Sequence, residues 1–198
     1  NFISKYSSGT IRPGFPTPPT ISTDKAKNKI LIVNQVVGDV AIAPQDPYEW
    51  VHSVLEELNK IQLDKDIVIR EHPLQLEKAE EVFSIEAIKK YSNLSISVSN
   101  NLKIEDDLSD SLATITFSSG AALDSLISGV PAITMDPRSF VYEITPHELN
   151  NLSDLHLPCL ISTLSAMSYT HYRFNELVNG LAWAALKEKI FNENTFSN

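Results

Sequence analysis

Apolar positions along this chain fall into two kinds of block. Short, nearly continuous runs rich in Ile and Val occur at residues 30–35, 67–71, 94–98, 113–117 and 131–135. Such runs are expected of strands buried on both faces of a parallel sheet. Between them lie segments with apolar residues at helical spacing. After Asp46-Pro47, a capping residue followed by proline at the first helical position, Trp50, Val51, Val54, Leu55 and Leu58 form one stripe. Residues 76–91 predict a charged amphipathic helix with Ala79, Val82, Phe83 and Ile88 inward, and residues 105–111 a short acidic helix. Residues 119–128 predict a helix with Ala121, Leu123, Leu126 and Ile127 on its apolar face, closed by Gly129. This alternation matches the spacing that parallel βαβ crossovers require. The expected fold is α/β: a doubly wound, mostly parallel, Rossmann-like sheet with helices on both faces.

The two ends break the pattern. Residues 1–28 contain Gly9, Pro13, Gly14, Pro16, Pro18 and Pro19 among many Ser and Thr. They predict a linker or extended arm with few buried side chains, leaving 29–198 as the folded domain. Residues 144–165, with Pro146 and Pro158, predict a loop with short helical turns. Residues 172–191 predict a terminal helix carrying Phe174, Leu177, Leu181, Trp183, Leu186 and Ile190, with Trp183 and Leu186 buried.

Composition narrows the class. The 198 residues suffice for one large or two small domains, and 42% hydrophobic content is that of a soluble globular chain. A net charge of −9 argues against nucleic acid as partner. The single cysteine, Cys159, excludes an internal disulfide and fits a reducing compartment. No apolar run approaches the roughly 20 residues of a membrane span, and no signal peptide is visible. The expected location is the cytoplasm, compatible with peripheral attachment at the inner membrane face. The first residue is Asn rather than Met, so a piece of a longer chain is expected.

Three polar clusters terminate predicted strands: Gln35 with Asp39, Arg70-Glu71-His72-Pro73, and Ser118-Ser119-Gly120. Ligands of open α/β sheets bind at the carboxyl ends of the strands. A histidine, two hydroxyls and a helix N-terminus on one rim suit a phosphate-bearing ligand. Taken singly, the plainer readings come first: His72 as a turn histidine, and Ser-Ser-Gly as a simple βα turn. Other chemistries lack their fingerprints. No GxGxxG follows the first strand, and there is no GxxxxGK[ST], GxSxG or HExxH. Glu105-Asp106-Asp107 reads as a solvated helix start rather than a magnesium site. Neither metal nor cofactor is expected, and no catalytic residue is assigned.

The clusters in their order, Gln35-Val36-Val37-Gly38-Asp39, then Arg70-Glu71-His72-Pro73, then TFSSGAALDSL at 116–126 and GVPAI at 129–133, resemble the carboxy-terminal half of bacterial capsular polysaccharide biosynthesis proteins. That family contains Kdo transferases of the GT-B fold, and bacterial sialyltransferases carry comparable His-Pro and Ser-Ser motifs. The resemblance covers roughly residues 29–145. It implies one lobe of a GT-B fold that binds a nucleotide-sugar, with a CMP-activated acidic sugar as donor. By the resemblance, His72, Pro73, Ser118, Ser119 and Gly120 bind the nucleotide phosphate. Asp124 stands where the family has Glu and would contact ribose or base, with Gln35, Asp39, Arg70 and Glu71 as further ribose, base or sugar contacts. The family's general base lies in an amino-terminal domain outside this chain, so the chain alone is expected to be inactive and to need that acceptor domain or a partner protein. The first functional reading is the donor-binding half of a glycosyltransferase for surface polysaccharide. The alternatives are a non-catalytic nucleotide-binding or assembly module, and a plain structural domain.

Overall fold

The computed structural model describes residues 10–12, 14–19, 28–61 and 63–193, without the side chains of 79, 80 and 188–193. The rest of the predicted arm, and the side chains of Ala79 and Ile190, lie outside the described residues. The strands are β1 (Lys29–Val33), β2 (Asp66–Arg70), β3 (Ser95–Val98), β4 (Ser111–Thr116) and β5 (Ala132–Thr134). All four pairings are parallel and the order is β3-β2-β1-β4-β5. Every predicted strand is present, and the fold is α/β, doubly wound and Rossmann-like. The chain runs outward from β1 to β3, then returns to lay β4 on the other side of β1. The crevice at the carboxyl ends therefore opens between β1 and β4, where the direction of winding reverses.

Strand alternation sends successive side chains to opposite faces. Ile30, Ile32, Ile67, Ile69, Ile115 and Ile133 face one layer, where they meet Trp50, Val51, Val54, Leu55 and Leu58 of α1 (Pro47–Ile61). Leu31 and Val33 face the other, against Leu108 of α4 (Ile104–Leu108) and Ala121 of α5 (Ala121–Ile127). Asp46 starts α1 as the sequence indicates: its Oδ1 accepts the N–H groups of Tyr48 (2.8 Å) and Glu49 (3.1 Å). Asp46→Ala should cost about 1 kcal/mol, read as a lower urea midpoint at unchanged slope. Gly129 ends α5 in the left-handed region (φ +79°). There Val130 N–H donates to Ser125 O and Gly129 N–H to Leu126 O, the paired bonds of a Schellman cap.

Three predicted elements differ. The single helix over 76–91 is two short ones, α2 (Leu76–Val82) and α3 (Ile85–Ile88). Phe83 turns inward between them, 4% exposed and against Tyr48, and Ser84 adopts an extended ψ of 154° that interrupts the helix. Within the predicted loop 144–165, residues from Ile161 onward form α6 (Ile161–Ser168), whose Leu164, Ala166 and Met167 are buried. The terminal helix is also divided, into α7 (Phe174–Val178) and α8 (Leu181–Glu193), at Gly180 with φ +75°. Trp183 is 65% exposed and Leu186 39% exposed, contrary to the expectation of burial. Among the described side chains of α8, Ala182 is the buried one, and Trp183 lies about 100° further round the helix.

Two compact units result: Pro18–Pro158, which holds the sheet, and residues up to Thr17 together with those from Cys159 onward. In the second unit Arg12 is the organising residue. Its guanidinium pairs with Glu176, donates to Ser168 O (2.6 Å) and His171 O (3.1 Å), and lies over the Tyr172 ring. In the sheet unit, a mainly aliphatic groove of about 780 Å³ opens at the amino ends of the strands, lined by Ile30, Leu112, Leu149 and Leu152 among others. It lies at the edge opposite the three polar clusters. Among the described residues, no helix is long and apolar enough to cross a membrane, and no group of three or more potential ligands could hold a metal ion.

Candidate functional site

The carboxyl ends of β2, β1 and β4 are adjacent, because those strands are neighbours in the sheet. A continuous hydrogen-bonded relay runs along them. At the β4 end, Ser118 N–H donates to Gln35 Oε1 (3.0 Å), and Gln35 Nε2 donates back to Ser118 Oγ (3.3 Å). The Ser118 hydroxyl in turn donates to Ala41 O (2.6 Å), in the loop after β1. Gln35 N–H donates to Asn34 Oδ1 (2.9 Å), and Asn34 Nδ2 donates to Glu71 Oε2 (2.9 Å). Glu71 Oε1 accepts the His72 N–H (2.7 Å). Five side chains or backbone groups from three strand ends are thus held in one line, with Asn34, Gln35, Glu71 and Ser118 all buried.

His72 stands at the first position of a turn with Pro73 second, closed by Gln75 N–H donating to His72 O (2.9 Å). Its Nδ1 accepts the Leu74 N–H (3.2 Å). In the neutral ring this leaves the proton on Nε2 as a donor. Gln75 Oε1 accepts the Val37 N–H (3.0 Å), which ties this turn to the loop after β1.

At the other cluster, Ser119 Oγ accepts the Ala121 N–H (3.2 Å) at the start of α5. Neither the Ser119 nor the Gly120 backbone N–H, nor the Ser119 hydroxyl as donor, has an acceptor among the described residues. A Cβ built on Gly120 would meet nothing within 4 Å, so this side of the turn is open. The two serines therefore differ in kind. Ser118 is engaged at both ends of its hydroxyl, while Ser119 and Gly120 present unused donors.

The remaining predicted contacts are placed otherwise. Arg70 turns inward to the face opposite Ile69, where its Nη1 donates to Asp107 Oδ2 (2.5 Å) and Asn101 O (3.0 Å), and its Nη2 to Leu102 O (3.2 Å). Asp107 is 1% exposed and also accepts from Ser99 Oγ and Asn101 Nδ2, both at 2.8 Å. The expectation of a solvated acidic helix start fails at this residue, because Arg70 supplies a buried cation. Asp39 organises its own loop, its Oδ1 accepting the Ala41 N–H (2.9 Å). Asp124 lies one turn into α5 on an exposed position. Partial desolvation of its carboxyl and the nearby Glu105 both push its pKa up.

Three contributors lay outside the sequence reading. Asn34 and Gln75 join the clusters, and Arg138 braces them from the loop after β5. The Arg138 guanidinium donates to Val40 O (3.1 Å) and Ala43 O (2.8 Å), pairs with both oxygens of Asp136, and lies 5.6 Å from the Phe117 ring centroid. That pairing holds the Asp136 carboxyl below the usual range. Asn34 was visible as a polar residue directly after an apolar strand. The bracing role of Arg138 had no local signal, since the two carbonyls it reaches in the loop after β1 are about 95 residues away in the chain.

No family model matches the sequence, and no curated protein matches it. Among solved structures, the Thermosulfurimonas dismutans KpsC β-Kdo 2,4 transferase superposes with a TM-score of 0.46 at 16% identity, over 77% of this chain and 47% of that one. The β-Kdo 2,7 transferase of the same organism's KpsC gives 0.45 at 19%, over the same shares. The UDP-GlcNAc 2-epimerase from Methanocaldococcus jannaschii gives 0.43 at 17%, over 64% of this chain and 37% of that one. These are likenesses of fold. This chain spans less than half the length of each of the three structures.

Proposed function

We propose that this chain is the nucleotide-sugar-binding lobe of a GT-B glycosyltransferase of surface-polysaccharide synthesis, with a CMP-activated sugar as donor. The observation that carries the reading is the buried relay from Ser118 through Gln35, Asn34 and Glu71 to His72. It holds the backbone of the His72 turn and of the open Ser118-Ser119-Gly120 turn at the edge where such sheets bind ligands. In this reading His72 Nε2–H and the free donors of Ser119 and Gly120 contact the phosphate. Ser118 and Gln35 hold the turn in place, and Arg70 builds the loop beneath. Asp124 stands as the ribose or base contact. The transfer step itself belongs to groups supplied by an acceptor-binding domain or partner.

Nucleotide selectivity tests the reading. At 100 times its dissociation constant a ligand adds about 2.7 kcal/mol of stability, which for a chain of this size raises the melting temperature by about 5–11 °C. CMP and CTP should produce a shift of this kind, and UDP and GDP a smaller one. No shift with any nucleotide would remove the proposal, and a larger shift with UDP would reassign the base.

A further inference from the structure

We propose that Glu71 is the positioning residue of this edge, and that binding of an anion beside His72 draws a proton onto its carboxyl. The inference rests on the nucleotide-phosphate reading of the same edge and concerns how that edge is held and regulated. Glu71 is 2% exposed, and its two oxygens hold two different elements: the His72 N–H of the turn after β2 and the Asn34 amide after β1. It thereby sets the first backbone bond of the turn that aims the His72 ring.

A carboxylate buried to this degree is expensive to keep ionised unless donors surround it. Burial outweighs the Asn34 amide, the His72 N–H and the Tyr48 hydroxyl, which all favour the carboxylate, and lifts its pKa above the ordinary carboxyl value. The groups that face it are few. Asn34 comes from the end of β1, His72 from its own loop and Tyr48 from α1; Lys78 of α2 lies over the Tyr48 ring, and Asp46 acts on Tyr48 from the helix cap. The buried Tyr48 hydroxyl faces Glu71 without a hydrogen bond of ordinary geometry among the described residues, and burial together with Glu71 pushes its pKa up, so it stays protonated. Such a hydroxyl serves either state of Glu71, as a donor to the carboxylate or as an acceptor from the acid.

Glu71 with a raised pKa is ionised only above its folded midpoint. A phosphate placed on the ring of the adjacent residue adds a like charge, which disfavours the carboxylate and moves that midpoint higher. Between the two midpoints binding takes up a proton, so affinity weakens as pH rises through that window, by about tenfold in all for a midpoint shift of one pH unit.

The Glu71 carboxyl carbon reports its own protonation, free of the adjacent imidazole. Its NMR shift is followed from pH 4 to 8 in the wild-type chain with and without saturating CMP, with Glu71→Gln identifying the signal. In the free wild type it should titrate with a midpoint above the ordinary carboxyl range, and CMP should raise that midpoint by about one pH unit or more. In Glu71→Gln the His72 amide proton should move upfield, having lost a charged acceptor; an unmoved amide would overturn the positioning role whatever CMP does. A Glu71 midpoint unmoved by bound CMP would overturn the coupling and leave the nucleotide reading standing. No CMP binding at any pH would remove the nucleotide reading, and the coupling with it. The wild-type comparison decides the coupling even if Glu71→Gln fails to fold.

Discussion

Asp107→Ala is expected to destabilise the protein by about 3–5 kcal/mol, the cost of leaving one member of a buried ion pair without its partner. Asp107 is 1% exposed, and Arg70 is 8% exposed with no other carboxylate against its guanidinium among the described contacts. Removing the carboxylate also strands the Ser99 hydroxyl and the Asn101 amide, which both donate to it. The pair joins the end of β2 to α4, so the effect should appear as global unfolding at lower urea. Asp106→Ala, one residue away on an exposed position, should change stability by no more than about 0.5 kcal/mol. Equal effects at the two positions would mean that Asp107 is solvated in solution.

The fold was largely legible in the sequence because the central strands β1 and β4 are buried on nearly every residue and appear as apolar runs, while the edge strand β3 shows as a short Ser/Ile/Ser/Val alternation. The five runs predicted the five strands to within about two residues. The cap at Asp46 and the stop at Gly129 were equally readable, since each works through a backbone bond a few residues away. What failed depended on partners far along the chain. Phe83 breaks a helical stripe because Tyr48 and the core lie beneath it. Trp183 sits in a helix whose apolar residues scatter around the axis, so no stripe existed to decide its orientation.

The candidate site divides along the same line. The positions of Gln35, His72 and Ser118 at strand ends followed from the strand pattern alone. The division of labour among them did not. Ser118 and Ser119 are neighbours in sequence, yet one hydroxyl is taken up by Gln35 and Ala41 and the other has an unused donor. Arg70 and Glu71 are also neighbours, and strand alternation sends one to the Asp107 network and the other to Asn34. These assignments need the third dimension.

His72→Ala is the substitution with the largest expected effect on binding. The ring accepts one local bond, from Leu74, and supports no part of the core. Its loss should therefore leave fold stability nearly unchanged while removing a bond to a charged phosphate, worth about 1.5–3 kcal/mol. At 1.4 kcal/mol per factor of ten, this weakens CMP binding by about 10- to 150-fold. His72→Gln, which keeps a side-chain donor, should recover part of that loss. Calorimetric titration of CMP into wild type and His72→Ala tests the central claim most directly. A dissociation constant higher by about 10- to 150-fold in the variant is the predicted result, and equal constants in the two proteins would contradict it.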